Sequence, residues 1–175
     1  HTVEIDERVL ADGTVRTPLN EDDVRQALQS LRDQDITSLA VLFIHAFAYP
    51  DHETRIRALA EEAGFTQISL SHEVAREIKA VGRGDTTTAD AYLTPILHEY
   101  ISRLRKDLSE DTPLRFMQSN GGLTDANTFS GKNAVLSGPA GGVVAYAHIG
   151  KLAGLDKTIG FDMGGTSTDV CRIDT

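Results

Sequence analysis

The densest chemistry in the chain lies in one stretch, Ile159-Gly160-Phe161-Asp162-Met163-Gly164-Gly165-Thr166-Ser167-Thr168-Asp169-Val170. Apolar residues lead to a carboxylate, two glycines, three hydroxyl side chains and a second carboxylate, and apolar residues then resume. This order predicts a β-hairpin whose turn meets phosphate. Gly164 and Gly165 are free to take positive φ, so the turn can be tight and its backbone can approach a ligand. Successive N–H groups in such a turn make an anion-binding concavity. Thr166, Ser167 and Thr168 add hydroxyl donors. Asp162, at the end of a strand, is placed to hold a hydrated Mg²⁺, an ion that keeps several waters and takes one or two carboxylates. A plain hairpin with polar decoration leaves the flanking acids and the three hydroxyls without a purpose.

The elements that must position this stretch follow from the rest of the chain. Val3, Ile5, Val9 and Val15 alternate weakly around Asp12-Gly13, which predicts a hairpin within residues 1–17. Asn20 caps a helix, with Asp23 three residues on, and Val24, Ala27, Leu28 and Leu31 form its apolar stripe. The unbroken apolar run from Leu39 to Ala48 reads as a strand buried on both faces, as in a parallel sheet. Pro50 ends it. Asp51 is expected to cap the next helix, which carries Ile56, Leu59, Ala60 and Ala63 inward and stops at Gly64. Ile68 to Leu70 is a short strand and Gly82-Arg83-Gly84 a loop. Asp85 with Thr88 should cap a long helix reaching about Leu108, kinked at Pro95.

Leu114 to Gln118 is a strand ending in the turn Ser119-Asn120-Gly121-Gly122, whereas residues 123–136 carry no pattern that assigns them. Ser137-Gly138-Pro139 opens a helix, with Ser137 or Gly138 as its cap and Gly154 as its end. Its small residues Ala140, Gly141, Gly142 and Ala145 cost helix propensity, about 1 kcal/mol per glycine relative to alanine. Close approach of another backbone or of a nucleotide would compensate. Strands alternating with helices predict an α/β fold with a mostly parallel sheet.

Composition bounds the function. The chain has 175 residues, 40% of them hydrophobic and 25% charged, which excludes fibrous and low-complexity classes. A net charge of −9 argues against nucleic acid as the partner, since a phosphate backbone needs a cationic face. Cys171 is the single cysteine, so no internal disulfide forms, in keeping with a reducing cytoplasm. The apolar run from Leu39 to Tyr49 is interrupted by His45 and too short to span a bilayer, and no signal peptide is apparent. The chain is expected to be an excerpt of a longer polypeptide.

The Asp162–Asp169 stretch resembles the phosphate hairpin, Asp-x-Gly-Gly-Thr-x-Thr-Asp, of the actin, sugar-kinase and chaperone ATPase superfamily. Three further stretches narrow the resemblance: Gly82-Arg83-Gly84-Asp85-Thr86-Thr87-Thr88-Ala89-Asp90-Ala91-Tyr92-Leu93-Thr94-Pro95, Phe116-Met117-Gln118-Ser119-Asn120-Gly121-Gly122-Leu123, and Leu136-Ser137-Gly138-Pro139-Ala140-Gly141-Gly142-Val143. Together they resemble the ATP-dependent hydantoinase A/5-oxoprolinase family, and the 5-oxoprolinase branch most closely. The hydantoinase branch usually reads Glu-Tyr-Glu-Arg where this chain has Ala80, Val81, Gly82 and Arg83, so only the arginine matches.

The resemblance implies a ribonuclease H-like, actin-like ATPase lobe. Residues 1–155 would form part of the first lobe with a hinge helix from Ser137, and 156–175 would begin the second. It implies ATP and Mg²⁺ as cofactors and phosphorylation of the amide oxygen of a lactam or cyclic imide, followed by ring opening with water. Asp162 would sit by the metal and Asp169 would orient the hairpin or a water. Gly164, Gly165, Thr166, Ser167 and Thr168 would cradle phosphate, with Ser137 and Gly138 also at the nucleotide. A second phosphate hairpin is expected before His1. A homo-oligomer, or a complex with a hydantoinase B-like subunit or domain, is the expected assembly, with no membrane or nucleic-acid partner.

Other patterns carry less. The six histidines form no His-x-x-x-His or Cys-x-x-Cys arrangement. Val135 and Pro139 stand where a nucleophile elbow around Ser137 needs glycines, and no Walker A sequence is present. Arg83 reads as a structural ion-pair partner of Asp85 or as a substrate contact. Asn120 and Gly121, beyond a strand's C-terminal end where open α/β sheets bind ligands, read as a substrate contact or as a plain turn. Three activities fit: an ATP-dependent cyclic amide hydrolase, an ATP-dependent ketone carboxylase subunit, or a non-catalytic nucleotide-binding module.

Overall fold

A computed structural model describes residues 1–109 and 111–174. Contacts divide the chain into two units, His1–Tyr100 and Ile101–Thr175.

The first unit opens with strands β1 (Arg8–Val9) and β2 (Val15–Thr17), an antiparallel pair. Asp12 and Gly13 form the expected turn: Asp12 Oδ1 accepts from the Thr14 amide at 2.9 Å, and Gly13 takes φ +87°. Helix α1 (Glu21–Arg32) is capped as predicted, with Asn20 Oδ1 accepting from the Asp22 amide at 3.0 Å. Next come β3 (Ser38–Val41), helix α2 (Asp51–Glu62) and β4 (Gln67–Leu70). Strands β3 and β4 pair in parallel, from Ser38 opposite Gln67 to Val41 opposite Leu70. The core of this unit lies where α1 and α2 cover the strands, with Val24, Leu28, Ile56, Leu59, Ala60 and Leu70 buried. Each large aliphatic side chain there contributes roughly 1.5–3 kcal/mol from lost water contact. Gly64, at φ +83°, ends α2: its amide bonds Glu61 O and the Phe65 amide bonds Ala60 O.

Three expectations for this unit need correction. The apolar run from Leu39 to Ala48 is a strand only as far as Val41; residues 44–48 turn, with the Ala46 amide on Phe43 O and the Tyr49 amide on His45 O. Side-chain bonds hold this turn: His45 Nδ1 lies 2.7 Å from Val9 O, and Arg83 takes the Phe43 and Ile44 carbonyls. Pro50, not Asp51, is the cap residue of α2, and Asp51 instead places its charge in the first turn. Finally, Gly82-Arg83-Gly84 is helical. After the short helix α3 (Ser71–Val74), helix α4 (Ala80–Lys106) begins five residues before Asp85 and continues past Pro95. Side-chain anchoring of Arg83 offsets the propensity cost of the glycines on either side.

The second unit holds β5 (Arg115–Met117) and β6 (Leu123–Asp125), an antiparallel pair across the Ser119–Gly122 turn. The short helix α5 (Gly131–Ala134) and the long helix α6 (Ser137–Leu152) follow, then β7 (Lys157–Met163) and β8 (Thr168–Asp174), again antiparallel. Gly154, at φ +71°, ends α6 as predicted. The fold is α/β, but the expected mostly parallel sheet is not formed among the described residues. Four two-stranded sheets stand in its place, and only β3–β4 is parallel. Short turns join the other pairs, and a turn of a few residues permits only antiparallel pairing.

Candidate functional site

The hairpin forms where the sequence places it. Seven residue pairs run from Lys157 opposite Asp174 to Met163 opposite Thr168. The connection Gly164-Gly165-Thr166-Ser167 closes with the Gly164 amide donating to Ser167 O at 2.9 Å. Neither glycine uses the left-handed backbone that the sequence reading allowed for. Their part here is the lack of a side chain: a Cβ on Gly165 would meet no described atom within 4 Å. Thr166, Ser167 and Thr168 are all exposed.

The register sets Asp162 directly opposite Asp169, both exposed, at the mouth of the turn. Like charges facing each other across an antiparallel pair repel. This arrangement is costly for a bare hairpin and suits one that meets a cation. By the two-residue alternation of a strand, this face also carries Thr158, Gly160 and Cys171.

Helix α6 backs that face. A Cβ on Gly150 would lie 2.9 Å from Thr158 Cγ2, and a Cβ on Gly160 would run into the Tyr146 ring. The two contacts are four residues apart in the helix and two apart in the strand, about 6 Å in each element. So α6 and β7 run side by side in opposite directions, and the N-terminal end of α6 lies toward the turn. The close packing expected of the small-residue helix is therefore present, and its partner is the hairpin. Tyr146 is partly buried beside the carboxylates. Desolvation first, then the charges of Asp162, Cys171 and Asp169, push its phenol above the ordinary value.

Ser137 is the first residue of α6 and not its cap. Leu136, at φ +61°, precedes the helix, and no side chain caps it. Gly138 faces open space, where a Cβ would touch nothing. Asn120 Oδ1 accepts from the Gly122 amide at 2.8 Å, and Gly121 takes φ +80° close beside Val144 of α6, where a Cβ would stand 3.0 Å from a Val144 methyl. Helix α6 thus supports both the Asn120–Gly121 turn and the hairpin.

Arg83 lies in the first unit and is fully buried. Its Nε donates to Ser71 Oγ at 2.9 Å, Nη1 to Glu77 O, and Nη2 to Phe43 O at 2.7 Å and Ile44 O at 3.0 Å. The guanidinium also stacks over Phe47 at 5.6 Å. The ion pair with Asp85 is not formed; Asp85 is exposed. Among the described residues no three His, Cys, Asp or Glu side chains are grouped to hold a metal.

A family profile described as hydantoinase/oxoprolinase matches residues 83–175, and one described as the hydantoinase/oxoprolinase N-terminal region matches residues 1–64. The chain belongs to the hydantoinase/oxoprolinase family. A 5-oxoprolinase of Saccharomyces cerevisiae is 46% identical over 160 residues, which is 87% of this chain and 12% of the yeast protein. The solved ATP-dependent caprolactamase from Pseudomonas jessenii superposes with a TM-score of 0.85 at 33% identity, covering 96% of this chain and 25% of that one. A nucleotide-free acetone carboxylase structure superposes with a TM-score of 0.81 at 27% identity, covering 97% of this chain and 25% of that one. This hydantoinase/oxoprolinase chain therefore spans a minor part of the length of the relatives it matches.

Two features of the hydantoinase/oxoprolinase chain escaped the sequence reading. Glu53 is fully buried: its carboxylate accepts from the Phe43 amide at 2.9 Å, Ser71 Oγ at 2.6 Å, and the amide and Nδ1 of His72 at 3.1 and 2.7 Å. Its place on the apolar side of α2, three residues before Ile56, was the available signal. The other is Tyr146. Its signal was Gly160, a glycine inside an apolar strand, which marks close approach of another group.

Proposed function

We propose that this chain is the part of an ATP-dependent cyclic amide hydrolase that builds one wall of its phosphate site, with 5-oxoproline as substrate and glutamate as product. The observation that carries the reading is the hairpin: an exposed glycine turn, hydroxyls beside it, and two facing carboxylates at its mouth. The N-terminal end of α6 lies on the same side, and helix N-termini favour anions. The relatives named for cyclic amide hydrolysis, 5-oxoprolinase and caprolactamase, support the substrate class.

The donor set fits Mg²⁺. Two exposed carboxylates, with no third His, Cys, Asp or Glu grouped beside them among the described residues, suit a hard cation that keeps most of its waters. Asp162 would hold the ion, which when bound neutralises phosphate charge. Asp169 would orient the hairpin or a water. The amide of Gly165 and the hydroxyls of Thr166, Ser167 and Thr168 would hold phosphate oxygens, with Gly164, whose amide closes the turn on Ser167 O, leaving room for their approach, and with Ser137 and Gly138 at the end of α6 toward the nucleotide. A lactam is a poor electrophile. Attack of its oxygen on the γ-phosphorus of ATP expels ADP and makes that oxygen a leaving group. Water then adds at the ring carbon and the C–N bond breaks with a proton taken up by nitrogen, which leaves an acyl phosphate; a second water cleaves that to the carboxylic acid and phosphate. Positioning and charge neutralisation are the protein's share of this chemistry.

In the longer protein, residues 1–155 would belong to a first actin-like lobe with α6 as hinge, and 156–175 would open the second. The partner would be a hydantoinase B-like subunit or domain; one relative is itself named a subunit alpha of caprolactamase. Arg83, Asn120 and Gly121 enter this reading as positioning groups: Arg83 fixes the turn after β3, and the Asn120–Gly121 turn rests on the hinge. No described helix is long and apolar enough to cross a membrane. The likeness to acetone carboxylase favours a second reading, an ATP-dependent ketone carboxylase subunit.

ADP release by the full-length protein with Mg-ATP, compared with 5-oxoproline, with N-methylhydantoin and without substrate, tests the proposal. Stimulation by 5-oxoproline with glutamate formed is the expected result. Stimulation by neither compound moves the assignment to the carboxylase reading, and substrate-independent turnover moves it to a nucleotide-binding module.

A further inference from the structure

A glycine in the strand leaves the volume that an aromatic ring of the helix fills. Gly160 is buried in the middle of β7, and a Cβ built there would overlap the Tyr146 ring edge at Cδ2 and Cε2 and stand 2.6 Å from Cys171 Sγ. Gly142, one helical turn before Tyr146, faces the same ring, with Cε2 at 3.5 Å and Cζ and the hydroxyl oxygen at 3.8 Å from its would-be Cβ. The next pair along this face of the ladder after Gly160–Cys171 is Asp162–Asp169. The ring therefore stands between the helix and the strand one step short of the facing carboxylates.

We infer that Tyr146 is a positioning residue for the hairpin: its ring, seated between Gly142 and Gly160, sets the distance between α6 and β7 and so fixes where the Asp162–Asp169 pair and the turn stand. The inference rests on reading the hairpin as the phosphate site. A planar ring keyed into the Gly160 gap, with Gly142 in contact on the helix side, allows one spacing. The ring provides the key, and the hydroxyl is not required for it.

The experiment uses the full-length protein with Tyr146→Ala, Tyr146→Phe, Gly160→Ala and the Tyr146→Ala/Gly160→Ala double variant. The readouts are kcat and KM for lactam-stimulated ADP release, and amide hydrogen exchange of Gly164–Thr168 without nucleotide. Y146F keeps kcat and turn exchange within about threefold of the wild type. Y146A lowers kcat by about tenfold to a hundredfold, the upper figure being the scale of a 1 Å misplacement, with KM little changed and turn exchange faster. G160A, which leaves Tyr146 in the sequence but takes its seat, reproduces both effects, and with Cys171→Ala present in every variant to clear the second contact of the new Cβ, it adds less than about twofold in the Y146A background because the two then act through one contact. Turn exchange in Y146A and G160A equal to the wild type, or effects of the two substitutions that multiply independently, overturns the inference. Should Y146A fail to fold, G160A and Y146F decide the matter between them. A wild-type protein without nucleotide turnover sinks the phosphate reading, and the exchange comparison then still decides whether Tyr146 positions the hairpin.

Discussion

Asp162 and Asp169 oppose each other in the ladder, so the hairpin carries an electrostatic cost that serves no structural purpose. Sites of function are where such costs are tolerated. Replacing Asp162 by Asn in the full-length protein is expected to abolish ATP turnover without lowering the Tm of the metal-free protein. Thermal unfolding with and without Mg²⁺ beside an ADP-release assay checks this, and a variant with normal turnover removes Asp162 from the metal site. Glu53 presents the opposite case, since its buried oxygens accept four bonds from Phe43, Ser71 and His72. Glu53→Gln turns an amide N–H₂ toward groups that themselves donate. It should cost this chain about 2–4 kcal/mol in urea unfolding, as expected when a buried polar network loses an acceptor. A cost under about 1 kcal/mol would mean that the network rearranges freely.

Between elements, α1 and α2 are joined at their surfaces by Arg55, which donates two 2.6 Å bonds to the Glu21 carboxylate, and by Arg25 with Glu62. The Arg55 bonds hold the Glu21 carboxyl below the usual glutamate range. A group with a depressed folded-state pKa stabilises fully above its unfolded value, near 4.3 for glutamate, and loses that contribution as pH falls through the folded value. Glu21→Gln should therefore leave a flatter stability–pH slope below about pH 5, read from urea midpoints at pH 3 to 7. An unchanged slope would show that the pair is screened out. Elements with local causes were legible in the sequence: the Asn20 cap, the Asp12–Gly13 turn, the Gly64 and Gly154 stops and the hairpin all follow from neighbours within a few residues. What escaped depends on distant partners. Nothing near Leu42 shows that the run must turn, because the group taking the Phe43 and Ile44 carbonyls is Arg83, some forty residues on. The same guanidinium moves the start of α4 back through Gly82 and Gly84. The hairpin's residue types were legible from the motif, whereas the ring that spaces it from α6 was not, since Gly160 marks an approach without naming what approaches.

For the chain as a whole, the face of the hairpin turned away from α6 is the exposed feature of greatest consequence. Ile159, Phe161 and Met163 alternate along β7 with Val170 opposite Phe161, and Ile159 and Met163 are each 74% exposed. Contiguous apolar surface beyond a few hundred Å² is uncommon on a monomer and favours association when nothing opposes it. Charge opposes it here: the net charge is −9 at pH 7, and the sequence pI is about 5.0. Repulsion between copies fades as the pH approaches the pI, and the apolar term, which does not titrate, remains. The isolated chain is therefore expected to be mainly monomeric at pH 7 and low salt, and to associate as the pH falls toward 5 or as salt screens the charge. Phe161→Lys should suppress that association, because it removes the largest ring of the patch and adds a charge at its centre without touching the face that meets α6. Sedimentation velocity across pH 5 to 8, for the wild type and this variant, measures the effect. Equal association of the two at pH 5 would place the adhesive surface elsewhere on the chain.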